Sequence, residues 1–359
     1  MTSATPARHD KSAPVLDPST APPLRWGILG AGGIAHTFAH AVQHRTAATI
    51  AAVGSRSLAK AQGFAADFGV SHVFSSYEDL VASDEVDAIY VATPHSHHHE
   101  HALLALGAGK PVLVEKAFTR NLAEAQEIFD AADARGLFVM EAMWTRFLPT
   151  TAAVHEVVAS GVVGEVVSVI ADHGQKLDAD PAGRLLAPEL AGGSLLDLGV
   201  YPVSYAHDLL GVPAVVRAQG RLTQTGVDGQ VAVVTQYEDP RQQAIAASTL
   251  WAKTATTAVV AGTKGWIELP GDFYATGDVI VHLPDGLTKD YTFDVSDGLA
   301  FEAAEVARCL AAGLTQSPRH PWQDTLEVMA IMDEVRRQVG VRYPGEAPSA
   351  PAVGRHSGV

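Results

Sequence analysis

Residues 24–35 read LRWGILGAGGIA. An apolar, strand-like run enters Gly30-Ala31-Gly32-Gly33-Ile34-Ala35, and a helical stretch follows to about His44. Two glycines at G-x-G spacing permit a tight turn and let the backbone approach a pyrophosphate, while Ala35 fills the position where helix and strand pack closely. The phosphates would meet the free N–H groups and the positive dipole end of that helix. A glycine loop alone is a weak signal; its place between a strand and a helix gives it weight. Gly30, Gly32, Gly33 and Ile34 are therefore candidate cofactor-binding residues.

Outward from that loop the pattern repeats. Residues 49–55 (TIAAVGS), 72–74 (HVF), 86–93 (VDAIYVAT), 111–116 (PVLVEK) and 137–141 (LFVME) read as further strands, with helices over 59–69 and 121–136. Such alternation marks a parallel sheet, so the expected class is α/β with an N-terminal, doubly wound Rossmann domain. At the end of the second strand an NAD-preferring fold normally carries an acid for the ribose 2′-hydroxyl. Here stand Gly54-Ser55-Arg56-Ser57, and no acid follows until Asp67. Ser55 and Arg56, with Lys60 one helical turn on, can instead donate to a 2′-phosphate. NADP is expected ahead of NAD; the competing reading leaves Arg56 as a solvated loop charge.

The chain has 359 residues, 47% hydrophobic and 18% charged, which is enough apolar surface for about two domains and excludes wholesale disorder. With 25 Lys+Arg against 40 Asp+Glu it shows no basic footprint for nucleic acid. No apolar stretch approaches the roughly 20 residues of a membrane span. The single cysteine, Cys309, precludes an internal disulfide, fits a reducing compartment and reads as a buried thiol. Residues 1–23 carry five prolines and no secretion-signal core, so they read as a disordered arm, and a cytoplasmic location is the default. Residues 344–359 read as a flexible tail. That leaves a nucleotide domain over 24–145 and a substrate-binding and oligomerisation domain over 146–343.

Residues 93–101, Thr-Pro-His-Ser-His-His-His-Glu-His, invite a zinc reading, because His97 and His101 would share a helical face. The segment supplies no cysteine and no third ligand at a recognisable spacing. It also follows the fourth strand directly, where a nucleotide fold meets its cofactor. No metal is expected.

The segments VATPHSHHHEHALLALGAGKPVLVEKAF (91–118), GLFVMEAMWTRFLP (136–149) and GGSLLDLGVYPVSYAHDLLG (192–211) carry more specific information. Together they closely resemble the glucose-fructose oxidoreductase/inositol dehydrogenase (Gfo/Idh/MocA) superfamily. EAMWTRFLP is most similar to its dimeric dihydrodiol dehydrogenase and NADP-dependent D-xylose 1-dehydrogenase branch. The resemblance spans about residues 24 to 343 and implies a Rossmann domain followed by an α/β domain. The second domain's large, mostly antiparallel sheet often serves in oligomer contacts. By the same resemblance Glu115 and Lys116 belong to the cofactor-binding set, and Lys116 lies beside the nicotinamide and the substrate hydroxyl. Tyr201 takes the place of the catalytic tyrosine, and Thr93, Pro94 and His98 belong to a cofactor-side motif. Trp144 and Arg146 fall in the substrate pocket. Ala117 replaces the usual proline of Glu-Lys-Pro; since a non-proline cis bond costs about 3 kcal/mol, no cis peptide is assumed there.

Elementary chemistry fits these assignments. Alcohol oxidation removes a hydroxyl proton as hydride leaves, and a tyrosinate can take that proton if a nearby ammonium lowers its pKa from about 10. Lys116 is placed to be that ammonium, with Tyr201 the acid/base and Lys116 itself the alternative. Asp197, one turn before Tyr201, would either orient these groups or cap the helix after Gly192-Gly193-Ser194. From spacing alone Tyr201 reads as an amphipathic core tyrosine, and the family resemblance reverses that reading.

Beyond Leu148 the chain reads as a helix (150–161), a strand (166–173) ending at Asp172-His173, an irregular loop and the tyrosine helix. Strand-like runs follow at 214–222, 230–238, 243–251 and 256–269, then helices at 299–312 and 322–339. Short turns between the runs suggest an antiparallel sheet. His173 is a candidate pocket residue by its strand-end position. Trp251, Phe273 and Tyr274 could stack on a sugar or diol, or serve core and interface packing. The expected function is an NADP-dependent oxidoreductase acting on a secondary or anomeric hydroxyl of a sugar, cyclitol or trans-diol, possible also as a carbonyl reductase and as a homo-oligomer. Its alternatives are a redox-neutral glycosidase that oxidises sugar transiently and a silent NADP-sensing protein.

Overall fold

The computed structural model describes residues 11–177 and 180–346. Its first half contains β1 (Arg25–Leu29), α1 (Gly33–Arg45), β2 (Thr49–Gly54), α2 (Leu58–Phe68), β3 (His72–Phe74), α3 (Tyr77–Val81), β4 (Ala88–Val91), α4 (His98–Gly107), β5 (Val112–Glu115), α5 (Leu122–Asp133) and β6 (Val139–Ala142). The six strands form one parallel sheet of order β3-β2-β1-β4-β5-β6. β4 and β5 are buried along their whole length, as helices on both faces require. The strand order reverses between β1 and β4, so the carboxyl ends there open a crevice where such sheets bind ligands. The short α3 was not foreseen; Ser76 starts it by accepting from the Asp79 N–H.

The second half begins with α6 (Pro149–Ala159), β7 (Val166–Gly174), a π-helical turn Leu195–Gly199 and α7 (Val200–Leu210). Then come β8 (Val215–Leu222), β9 (Asp228–Gln236), β10 (Gln243–Thr249), β11 (Ala258–Gly262), β12 (Trp266–Leu269), β13 (Asp278–His282), β14 (Thr288–Thr292), α8 (Leu299–Ala311) and α9 (Trp322–Val339). The eight strands run β14-β13-β12-β11-β7-β10-β9-β8, antiparallel except for the parallel β7/β10 pair. The expected single run over 256–269 is two strands, because the chain turns at Thr263–Gly265 and pairs β11 back against β12. β13 and β14 were not foreseen. One sheet face packs on α7 and α9. The other leaves a row of Val234, Ile245, Ile170 and Val259 part-exposed across four neighbouring strands, and Glu268 of β12 separates it from Ile280 of β13.

The arm expected to be disordered is in part ordered. A 3-10 turn at Pro18–Thr20 is capped by Asp17, whose carbonyl also accepts from Arg308 (2.7 Å). Arg319 donates to the Ala13 carbonyl (2.8 Å), and Lys11 reaches Asp208. These cations tie residues 11–20 to the body; residues 1–10 lie outside the described residues. At the other end Arg336 and Asn121 hold Glu346, and the rest of the expected tail again lies outside the description. Among the described residues no helix is long and apolar enough to cross a membrane. Cys309 is a free, buried thiol.

Candidate active site

The glycine loop is shaped by close approach. Gly30 has φ +104°, and a Cβ there would stand 2.7 Å from the Ala92 carbonyl oxygen. Gly32 and Gly33 differ, since a Cβ on either would meet no protein atom within 4 Å. Packing does not demand glycine there, whereas a phosphate laid on the helix end would. No side chain caps the start of α1, and Gly32, Gly33 and Ile34 are exposed. These residues fit a dinucleotide pyrophosphate.

At the end of β2, Ser55 is buried and its hydroxyl accepts from the Ser57 N–H, while Arg56 and Lys60 are exposed. Asp67, the first acid after β2, lies at the far end of α2 beside His36 (3.6 Å). After β4, Thr93 meets His101 through its hydroxyl (3.0 Å) and His98 through its carbonyl (2.7 Å). His98 is fully buried and also faces the Ala117 carbonyl (3.0 Å), so it staples the β4 loop to the turn after β5. The Lys116–Ala117 peptide in that turn is cis, contrary to what Ala117 suggested. His97 and His101 stack on one another, with Tyr77 against His101. No three His, Cys, Asp or Glu side chains among the described residues converge as a metal site would need.

The Lys116 ammonium stands at the carboxyl end of the sheet. It donates to the Asp197 carbonyl (2.7 Å), lies 3.7 Å from the Asp197 carboxylate and sits 4.9 Å from the centre of the Tyr201 ring. Asp197 belongs to the π-helical turn, so it is no helix cap; its carboxylate also takes Arg184 (2.8 Å). Burial alone would raise the Asp197 carboxyl, but Lys116 and Arg184 hold it well below the usual range. Asp228 performs the capping, accepting from the Ser194 hydroxyl and the Leu195 N–H, both at 2.7 Å.

Tyr201 accepts from the Trp144 indole N–H (2.9 Å), and its ring packs against Tyr274 (4.7 Å) and His173 (5.3 Å). Burial drives its pKa well above 10. Lys116 lies over the ring, 4.9 Å from its centre, and burial outweighs any lowering by its ammonium. His173 stacks on Tyr274 and pairs with Gln175 (2.9 Å); burial lowers its pKa to about 4, so it is neutral at pH 7. Its Nδ1 is buried without a partner.

Two expected ligand residues are turned elsewhere. Glu115 is buried, accepting from the Tyr90 hydroxyl and the Lys116 N–H, so it supports Lys116 from beneath; burial raises its pKa to about 7. Arg146 points away from the aromatic wall into an ion cluster with Asp208 (2.6 Å) and Asp324 (3.0 Å). Its 3-10 turn, Trp144–Phe147, sends alternate side chains to different sides. Of the aromatic candidates, Tyr274 joins the wall, Phe273 is core against Tyr205, and Trp251 is exposed over Gly229. Sequence reasoning missed Arg184, Gln175 and Tyr90. Only Tyr90 left a signal, as a hydroxyl in an otherwise apolar buried strand needs a partner.

A doubly wound dinucleotide fold, with lysine, tyrosine and tryptophan meeting at its crevice, defines a dinucleotide-dependent oxidoreductase. The chain belongs to the Gfo/Idh/MocA family: the model described as an oxidoreductase family with NAD-binding Rossmann fold matches residues 24–143, and the family's C-terminal domain matches 151–268. It is 37% identical over 331 residues to a trans-1,2-dihydrobenzene-1,2-diol dehydrogenase of Danio rerio, covering 89% of this chain and 98% of the relative. It is 35% identical to a D-xylose 1-dehydrogenase (NADP(+)) of Hypocrea jecorina, covering 89% and 93%. A 3-ketoreductase from Actinomadura kijaniata, solved with NADP and TDP-benzene, superposes with TM-score 0.79 at 26% identity, over 89% of this chain and 98% of that one. An aldose-aldose oxidoreductase from Caulobacter crescentus shares the fold, with TM-score 0.81 at 23% identity and the same coverage.

Proposed function

We propose that the chain is an NADP-dependent oxidoreductase moving hydride between the nicotinamide and a secondary or anomeric hydroxyl of a sugar, cyclitol or trans-diol. The observation that carries this reading is the Lys116–Tyr201–Trp144 constellation at the crevice opened by the glycine loop. The names of the diol and xylose dehydrogenase relatives support the substrate class. Gly30, Gly32, Gly33 and Ile34 would hold the pyrophosphate, Ser55, Arg56 and Lys60 the 2′-phosphate, and Thr93 and Pro94 the cofactor's inner side, in a loop that buried His98 fixes from behind. When bound, the cofactor supplies or accepts the hydride.

The chain's own residues handle the proton. Tyr201 accepts the Trp144 N–H, so its own O–H is free to face the substrate oxygen. A buried phenol that stays protonated at pH 7 is a proton donor, which suits carbonyl reduction. In reduction the Lys116 ammonium over the ring offsets the phenolate that develops as the proton leaves, and oxidation runs the same transfer backwards, from phenolate to phenol. Asp197 holds that ammonium in place. His173, Tyr274 and Trp144 would form the wall against which the substrate lies.

On this reading residues 24–145 bind NADP, and residues 146–343 bind substrate and join copies of the chain through the open sheet face, in the cytoplasm. An apolar row such as Ile170–Val259 suits a second copy, and sedimentation velocity showing only monomer would remove that part.

The test mixes purified protein with NADP and, separately, NAD, against aldoses, cyclitols, trans-diols and glycosides, following reduced nicotinamide and substrate fate. Sustained NADP reduction with an aldose or diol is the expected result. Consumption of a glycoside without net reduced cofactor would replace the proposal with redox-neutral glycoside cleavage.

A further inference from the structure

Behind the tyrosine helix lies a buried ion cluster that the reaction as proposed does not use. Tyr201, Ser204 and Asp208 sit at positions i, i+3 and i+7 of α7, on one helical face. Arg146 grips that face two turns deep: its guanidinium donates to the Ser204 hydroxyl (3.1 Å), the Ser204 carbonyl (3.1 Å) and Asp208 (2.6 Å). Trp144, two residues earlier in the same 3-10 turn, donates to the Tyr201 hydroxyl. The turn and the helix are thus joined at two points, one in the active site and one behind it.

The rear joint holds two carboxylates. Asp208 is 2% exposed and Asp324 is 15% exposed, and both accept from Arg146, which is 3% exposed. One cation cannot balance two buried anions. The second cation comes from the far end of the chain: Lys11 donates to Asp208 (2.7 Å) and Asp324 (3.1 Å). His155 meets the other Asp208 oxygen (2.8 Å). Burial alone would raise the Asp208 carboxyl, yet Arg146, His155 and Lys11 hold it well below its usual range.

We infer that Arg146 and Lys11 are positioning residues, which fix the Trp144 turn against α7 and so hold the Trp144–Tyr201 hydrogen bond in register for proton transfer. The inference rests on the proposed role of Tyr201. It makes the N-terminal segment part of the working enzyme, since Lys11 bridges both carboxylates of the joint. Removing Lys11 takes away one of the two cations that bridge Asp208 and Asp324, so the carboxylates repel one another more strongly and move apart, carrying the turn with them. A misplacement of this kind acts on the chemical step and not on the binding of NADP at the distant glycine loop.

The experiment is a double-mutant cycle on the full chain, with the variants Lys11→Met, Trp144→Phe and both together, and Lys11→Arg and Arg146→Lys as conservative companions. Lys11→Met is expected to lower kcat by about five- to tenfold with KM for NADP unchanged. Lys11→Arg should recover most of that loss, whereas Arg146→Lys should not, because lysine lacks the fork that spans Ser204 and Asp208. In the Trp144→Phe background, Lys11→Met should change kcat by less than about twofold, since the bond it aligns is already gone. An equal loss in both backgrounds, or a fall in Tm with kcat intact, would overturn the inference. Tyr201→Phe keeps the two questions apart: turnover retained in that variant removes the role of Tyr201 itself, whereas its loss alongside an additive cycle removes only the positioning role.

Discussion

Arg56 stands exposed at the end of β2, with no ion-pair partner among the described residues. Its neighbours in sequence do structural work: Ser55 is buried and turns the chain into α2 through the Ser57 N–H. A free guanidinium beside an uncapped helix start can contribute a charge-assisted bond to a 2′-phosphate, worth about 1.5–3 kcal/mol. Arg56→Ala should therefore raise KM for NADP by about ten- to a hundredfold and leave KM for NAD within about twofold, read by steady-state kinetics with each cofactor. An equal rise for both cofactors would mean that Arg56 shapes the loop without reading the phosphate. Lys60, one turn on, should give the same selectivity with a smaller effect, since an ammonium makes a point contact where arginine offers a fork.

Among the elements, the start of α8 bears on the site through an absence of side chain. A Cβ on Gly298 would stand 2.3 Å from the Trp144 ring, so the ring would have to shift and strain its N–H bond to Tyr201. Gly298→Ala is expected to lower kcat by about tenfold while NADP affinity, measured by nicotinamide fluorescence, stays unchanged. An unchanged kcat would show that Trp144 can shift without cost. The same position shows why part of the site was legible in sequence and part was not. The glycine loop, the lysine at the end of β5 and the tyrosine helix lie in local patterns whose chemistry follows from spacing. Gly298 lies 154 residues from Trp144 in the chain, and nothing local marks their contact. Arg146 was assigned to the pocket by its neighbour Trp144, but a 3-10 turn separates adjacent side chains by about a third of a revolution. β13 and β14 escaped because their runs are short, and the Lys289-Asp290 pair interrupts the apolar pattern of the last. The break between β11 and β12 is set by pairing geometry around Gly265, whose Cβ would meet the His282 carbonyl at 2.5 Å.

For the whole molecule, burial of histidine sets how folding responds to acid. Burial lowers the pKa of His95 to about 3 and those of His101 and His173 to about 4, from an ordinary 6.5. Each is neutral in the folded chain over a range where it is protonated in the unfolded chain. Their stabilising contribution is complete above pH 6.5 and is lost as pH falls toward 4, with a slope of about 1.4 kcal/mol per pH unit for each group. Glu115, raised to about 7, and Asp228, raised to about 6, both by burial, act in the opposite sense. The folded chain holds those two protons where the unfolded chain has released them, so these groups favour folding as pH falls through 7 and 6. Burial also lowers His97 and His98 and raises Glu302, and between pH 6 and 4.5 the histidines together outweigh the carboxyls, so the net effect is loss of stability on acidification. His173→Asn removes one of the three without introducing a charge. Denaturant unfolding at pH 7.5, 6 and 5 should show the native chain weakening toward pH 5, with the variant's slope shallower by about one proton. An unchanged slope in the variant would show that His173 takes up its proton in the folded state, and that the aromatic wall around it is open to water.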